Sequence, residues 1–123
     1  MEIEVVAGAL FDERGRVLIA RRPEGKELAG RWEFPGGKLI EPETPFDGLV
    51  RELREELGVD ATAMEPLISV RHDYPDKRVL LDVWVVDRWR GEVHGHEGQP
   101  LAWVAPDQLE GFDFPAADRP VLA

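Results

Sequence analysis

Apolar residues near the N-terminus form short runs that predict strands. The segments Glu4 to Leu10 and Val17 to Ala20 are mostly apolar, and Asp12-Glu13-Arg14-Gly15 between them has the composition of a turn. This pattern favours a hairpin. A short extended segment, Trp32-Glu33-Phe34, then ends at Pro35-Gly36-Gly37, where two glycines indicate a tight, exposed backbone.

The middle of the chain carries one amphipathic helix. Thr44 followed by Pro45 is a helix-start signal, because Thr can cap free N–H groups and Pro is tolerated at the first helical position. The predicted helix runs to about Leu57, where Gly58 supplies the stop. Its apolar stripe follows the i, i+3, i+4, i+7, i+11 spacing of a face that packs on a sheet. The stripe consists of Phe46, Leu49, Val50, Leu53 and Leu57.

The second half of the chain predicts further strands. The candidate strands are Leu67 to Val70, the β-branched run Val79 to Val86, and Trp103-Val104. A loop is predicted from Arg90 to Pro100. Asp118 to Ala123 resembles the first turn of a helix. We therefore expect one α+β domain over residues 1–123, with mixed strands covered by helices.

Composition narrows the classes of function. The formal net charge of −10 argues against duplex nucleic acid as a partner, because that binding needs clustered Lys and Arg. With no cysteine, any metal must be held by oxygen or imidazole. The sequence shows neither a membrane span nor a signal peptide. We expect a cytoplasmic protein with no membrane association and no obligate protein partner.

Three glutamates of the predicted helix form an acidic patch. At 100° per residue, Glu52, Glu55 and Glu56 fall within an arc of about 100° turned away from the apolar stripe. An ordinary solvated acidic face has the same appearance. Hard divalent cations that bridge carboxylates to ligand phosphates are the functional alternative. The spacing of the three residues does not decide between the two.

The flanking sequence favours the functional alternative. The pattern begins with Gly37, five further residues and Glu43, and it continues with seven further residues and the segment Arg51 to Val59. It resembles the signature of the Nudix hydrolase superfamily at its fixed positions. The similarity to its MutT-like group extends along the chain, through Phe34-Pro35-Gly36-Gly37 and Glu97-Gly98-Gln99-Pro100. The resemblance implies the Nudix fold, a mixed β-sheet sandwiched between α-helices. Ile40 and Pro42 stand where the family often has Glu and Gly, which leaves the loop geometry open.

The resemblance also implies a metal site and a reaction. The expected ion is Mg²⁺, with Mn²⁺ as a substitute, and its expected ligands are the Gly36 carbonyl, Glu52, Glu55, Glu56 and Glu97. Glu52 is expected to act as the general base on a water that attacks the triphosphate, releasing a nucleoside monophosphate and pyrophosphate. Gly37, Glu43 and Arg51 are expected to support the site, since an Arg fork suits bidentate carboxylate pairing.

The sequence does not decide which of two bases the protein recognises. The residues implied to bind the nucleotide are Arg22, Phe34, Tyr74, Asp76, Lys77 and Asp118, with Phe34 stacking on the base. Asp118 stands where MutT-like enzymes have an Asn, and an ionised Asp accepts hydrogen bonds but does not donate them. We expect 8-oxo-dGTP as the substrate, in nucleotide pool sanitation and DNA repair. CTP or dCTP is the alternative, because Asp118 suits an exocyclic amino group.

A different class of function is also compatible with this sequence. The chain could be a non-catalytic nucleotide-binding Nudix module of a longer protein. The presence of every acidic position of the signature favours the enzyme.

Overall fold

The protein is described by a computed structural model over residues 2–22, 30–95, 98–112 and 114. Its elements are β1 (Glu2–Leu10), β2 (Val17–Arg21), β3 (Trp32–Glu33), β4 (Gly36–Lys38), α1 (Pro45–Leu57), β5 (Asp60–Tyr74), β6 (Lys77–Arg90), β7 (Leu101–Val104) and a 3₁₀ helix (Pro106–Gly111). The predicted helix Asp118 to Ala123 lies outside the described residues.

The strands form two sheets. One has the order β4-β1-β6-β5 and the other the order β3-β2-β7. Strand β1 runs parallel to β6 and antiparallel to β4, so the larger sheet is mixed. This arrangement confirms the predicted α+β class.

The predicted hairpin between the first two strands is wrong. The turn itself forms, because the Asp12 N–H donates to the Arg16 carbonyl at 2.9 Å. Beyond it the two strands share only an isolated bridge between Phe11 and Val17. Both edges of β1 are already taken by β4 and β6, so β2 joins the second sheet.

Two other segments are more regular than the sequence indicated. Gly36 and Gly37 belong to a strand, because β4 pairs with residues 5–7 of β1. Residues 67–70 are only part of β5, which spans 15 residues and accommodates Pro66 next to a shift in register. Strand β5 lies at the sheet edge, where the missing N–H of a proline costs least.

Helix α1 begins and ends as the sequence predicts. The Thr44 hydroxyl accepts a hydrogen bond from the Asp47 N–H at 3.1 Å, and Pro45 opens the helix. Gly58 ends it in the left-handed conformation, with φ of 71°. Leu49, Leu53 and Leu57 are fully buried. The helix is therefore fixed at both ends and along one face.

The core has two parts, on opposite faces of the sheets. The helix-side cluster includes Val6, Leu10 and Leu18 packed with the α1 leucines. The other cluster includes Ala7, Ile19 and Val83, covered by Leu109 of the 3₁₀ helix and by Phe114. The alternation along β1 sends neighbouring side chains to opposite faces. No helix among the described residues is long and apolar enough to cross a membrane.

Candidate active site

Arg51 of α1 is the centre of a cluster of glutamates from the helix and from the loop that precedes it. Its Nε and Nη2 donate to the two Glu43 carboxylate oxygens at 2.6 and 2.9 Å, the bidentate pairing that the sequence predicts. Its Nη1 donates to Glu52 at 3.0 Å and to Glu55 at 3.1 Å. A further bond from Nη2 reaches the Lys38 carbonyl of β4 at 3.2 Å. One guanidinium thus gathers three carboxylates and ties the helix to the sheet.

Glu43 also closes the loop that precedes α1. Its Oε1 accepts from the Ile40 N–H at 2.9 Å, and its own N–H donates to the Ile40 carbonyl at 2.8 Å. Hydrogen bonds from Arg51, and then from the Ile40 N–H, lower the pKa of Glu43 from 4.5 to about 2. The loop with Ile40 and Pro42 therefore still delivers an ionised Glu43 to Arg51.

Glu52 lies against the backbone of Gly37. A Cβ added at Gly37 would come within 2.5 Å of the Glu52 carboxyl carbon. The carboxylate is largely covered, with 17% of the side chain exposed. The absence of a side chain at Gly37 thus leaves room for the Glu52 carboxylate beside β4.

Glu56 reaches the other glycine of β4. The Gly36 N–H donates to the Glu56 Oε2 at 3.1 Å, and Glu56 is 7% exposed. A Cβ at Gly36 would lie 1.9 Å from the Val6 carbonyl oxygen of β1, so no other residue fits there without a backbone shift. The two glycines bring the strand backbone to the two carboxylates.

The donor atoms at this surface are suited to a divalent cation. Carboxylate and backbone oxygens are the ligands that Mg²⁺ prefers. Within the described ranges, no three His, Asp or Glu side chains converge on one point as they stand. Arg51 bonds Glu52 and Glu55, while the Gly36 N–H bonds Glu56. Glu55, with 61% of its side chain exposed, is the most accessible of the three.

Four of the residues predicted to bind the nucleotide lie in two other places: Arg22 in one, and Tyr74, Asp76 and Lys77 in the other. Arg22 follows β2 and pairs with Glu33 of β3 at 2.9 Å. Tyr74 and Lys77 face each other across the β5–β6 turn that contains Asp76, with the Lys77 Nζ 6.0 Å from the centre of the Tyr74 ring. This turn adjoins the start of β1, whereas Gly36 pairs with Ala7, about 16 Å further along the strand. The structure does not bring these residues into the glutamate cluster.

Phe34 requires a correction. It was expected to stack on a base, but it is 5% exposed and packs against Phe114, with ring centroids 5.6 Å apart. A ring enclosed in this way has no face left for a ligand. The apolar positions of β2 and the 3₁₀ helix draw Phe34 into the second core cluster.

Gln99 lies beside the glutamates, although its sequence context alone predicts no role for it. Its Nε2 donates to the backbone carbonyl of Glu56 at 3.2 Å, and the residue is 7% exposed. The signal in the sequence that could have indicated a role for Gln99 is its place in the Glu97-Gly98-Gln99-Pro100 segment, which resembles the MutT-like group. The predicted site residues Glu97 and Asp118 lie outside the described residues.

Comparisons with known proteins give a consistent result. The NUDIX domain family profile matches residues 6–123. An 8-oxo-dGTP diphosphatase of Escherichia coli strain K12 is 37% identical over 99% of this chain and 95% of its own length. A CTP pyrophosphohydrolase of the same organism is 40% identical over 98% of this chain and 88% of its own length. The crystal structure of a MutT protein from Methanosarcina mazei Go1 superposes with a TM-score of 0.88 at 27% identity, covering 98% of this chain and 90% of that protein.

Proposed function

The chain belongs to the NUDIX domain family, and from that premise we propose that it is a divalent-metal-dependent hydrolase that cleaves a nucleoside triphosphate into a nucleoside monophosphate and pyrophosphate. One observation carries the proposal. Glu52 and Glu56 both lie against the backbone of β4, beside the carboxylates that Arg51 gathers. An acidic cluster supported in this way by a strand and a guanidinium is more organised than a solvated helix face.

The metal ligands that we assign are Glu52, Glu55, Glu56 and Glu97 with the Gly36 carbonyl. Mg²⁺ is the expected ion, and Mn²⁺ is expected to substitute for it. When bound, the ion supplies positive charge that offsets the phosphate oxygens and makes water more acidic.

The residues of the chain supply position and a base. Glu52 accepts a proton from the attacking water, whose oxygen bonds to phosphorus as the bond to the departing pyrophosphate breaks. Gly37 leaves room for the Glu52 carboxylate beside the strand. Arg51 and Glu43 keep the helix, the preceding loop and β4 in one arrangement.

For the substrate we place 8-oxo-dGTP first, which gives the protein a role in removing oxidised nucleotides from the pool. The diphosphatase relative matches nearly the full length of both chains. Arg22, Tyr74, Asp76, Lys77 and Asp118 are the residues that we assign to the nucleotide. The β5–β6 turn and Gly36 are offset by about 16 Å along the direction of β1, which suits an extended ligand with the base at one end and phosphates at the other.

CTP is the second candidate, because one specific observation favours it. Asp118 accepts but does not donate hydrogen bonds when ionised, which suits the amino group of cytosine. The CTP pyrophosphohydrolase relative is 40% identical to this chain.

The test is a comparison of kcat/KM for 8-oxo-dGTP, dGTP, CTP and dCTP with Mg²⁺, measured as pyrophosphate release. We expect 8-oxo-dGTP to be the preferred substrate. A clear preference for CTP reverses our order of substrates. If none of the four nucleotides releases pyrophosphate, the proposal that the protein is an enzyme is contradicted and a nucleotide-binding module is favoured.

A further inference from the structure

The C-terminal end of α1 is closed by a segment from far along the chain. The last turn of an α-helix leaves carbonyl groups without intrahelical partners. Here the His94 N–H donates to the Leu57 carbonyl at 3.0 Å, and the Gln99 Nε2 donates to the Glu56 carbonyl at 3.2 Å. The Leu57 and Glu56 carbonyls are therefore capped by the loop between β6 and β7.

Gln99 is held tightly in this position. It is 7% exposed, and the loop packs on it at Gly95, where a Cβ would lie 2.6 Å from the Gln99 backbone oxygen and 3.3 Å from its Oε1. The next residue, Pro100, accepts a hydrogen bond from the Arg21 N–H at 3.0 Å. A side chain enclosed by the loop and anchored beside β2 has little freedom to leave the helix end.

Glu56 is consequently held through its backbone and through its side chain. Gln99 bonds its backbone carbonyl, and the Gly36 N–H bonds its Oε2 at 3.1 Å. A shift of the last helical turn would move the Glu56 carboxylate relative to β4. Contacts behind a metal ligand commonly set its orientation, and their loss costs metal affinity.

We propose that Gln99 is a positioning residue that holds Glu56 for divalent-metal binding by capping its backbone carbonyl. The inference rests on the proposed function in one respect, the assignment of Glu56 as a metal ligand. It adds a residue that acts on the metal site through the helix end.

A purely structural cap predicts lower stability and no change in metal affinity, so the test separates the two quantities. Gln99→Met keeps the size of the side chain and removes its donor. Gly95→Ala keeps Gln99 and crowds it. The matched controls are Gln108→Met, at an exposed position, and Gly111→Ala, where an added Cβ meets nothing within 4 Å.

The readout is Mn²⁺ affinity of the full chain without nucleotide, from electron paramagnetic resonance of free Mn²⁺, after thermal melts have identified the folded variants. We expect Gln99→Met and Gly95→Ala to bind Mn²⁺ about tenfold more weakly than the unmodified protein. The two controls should keep its affinity. Pyrophosphate release by the two loop variants should recover as Mn²⁺ is raised.

A folded Gln99→Met that binds Mn²⁺ as tightly as the unmodified protein overturns the proposal. If Gln99→Met does not fold, the Mn²⁺ affinity of Gly95→Ala is the test, and an affinity equal to that of the unmodified protein overturns the proposal. A third outcome is that the unmodified protein binds Mn²⁺ but releases no pyrophosphate, while both loop variants bind Mn²⁺ more weakly. That result contradicts the proposed function and supports the role of Gln99. An unmodified protein that binds no Mn²⁺ overturns both.

Discussion

The Glu52 carboxylate lies directly over the backbone of Gly37, at a distance that leaves no room for a β-carbon. A Cβ at Gly37 would be 2.5 Å from the carboxyl carbon and from Oε2 of Glu52. The atoms in the way belong to the end of a flexible side chain, so the conflict is resolved by moving Glu52 rather than by unfolding. Gly37 therefore controls the position of the proposed base.

Gly37→Ala should lower kcat by about a hundredfold, because a displacement near 1 Å of a reacting group has that effect. The thermal midpoint should change little. Gly36→Ala is the contrasting variant, since its Cβ would meet the Val6 backbone oxygen at 1.9 Å and should destabilise the fold. Thermal melts and pyrophosphate release of both variants check the pair. Full activity in Gly37→Ala contradicts the position assigned to Glu52.

Glu52→Gln tests the general base itself. The amide keeps the size of the side chain but accepts no proton, so kcat should fall by about 10²–10⁴-fold. Steady-state pyrophosphate release with saturating Mg²⁺ measures the loss, and Glu65→Gln on the exposed part of β5 is the matched control. A Glu52→Gln variant with unchanged kcat removes the base assignment.

The ion pair between Glu43 and Arg51 should make stability depend on pH. The pKa of Glu43 is lowered to about 2 in the folded protein, chiefly by hydrogen bonds from Arg51, against an ordinary value of 4.5. The unfolded chain therefore binds the proton first, and the stabilisation is complete above pH 4.5 and lost as the pH falls towards 2.

Glu43→Gln should accordingly be less stable than the unmodified protein at neutral pH, and the difference should shrink between pH 4.5 and 2. Urea unfolding at a series of pH values measures this difference. A gap that stays constant across the acid range contradicts the role of the ion pair.

Asp118→Asn tests base recognition. The Asn amide can donate to O6 of 8-oxoguanine while accepting from N7–H, whereas an ionised Asp only accepts. The ratio of kcat/KM for 8-oxo-dGTP over CTP should rise roughly tenfold to a hundredfold, the effect of restoring one hydrogen-bond donor to the base. An unchanged ratio removes Asp118 from base recognition.

The sequence predicted those features that depend on local chemistry. Thr44 and Gly58 mark the ends of α1 because capping is decided by neighbouring residues. The pairing of Arg51 with Glu43 followed from the resemblance and from the fork geometry of arginine. The family and the α+β class are likewise confirmed.

Features that depend on distant parts of the chain were not predicted. Strand β2 joins a second sheet because β4 and β6 flank β1, which no local pattern of residues 4–20 reveals. Phe34 is buried because Phe114, 80 residues later in the numbering, packs on it. The contact of Gln99 with the Glu56 carbonyl likewise spans 43 residues.

We propose that the α1 glutamates and β4 together hold the metal that hydrolysis requires. A crystal structure of the protein with Mg²⁺ and a non-hydrolysable analogue of the triphosphate tests it most directly. We predict at least one ion ligated by Glu52 or Glu56, lying beside Gly36 and contacting a phosphate oxygen. An analogue bound with its phosphates away from α1, and no ion at these glutamates, would contradict the account.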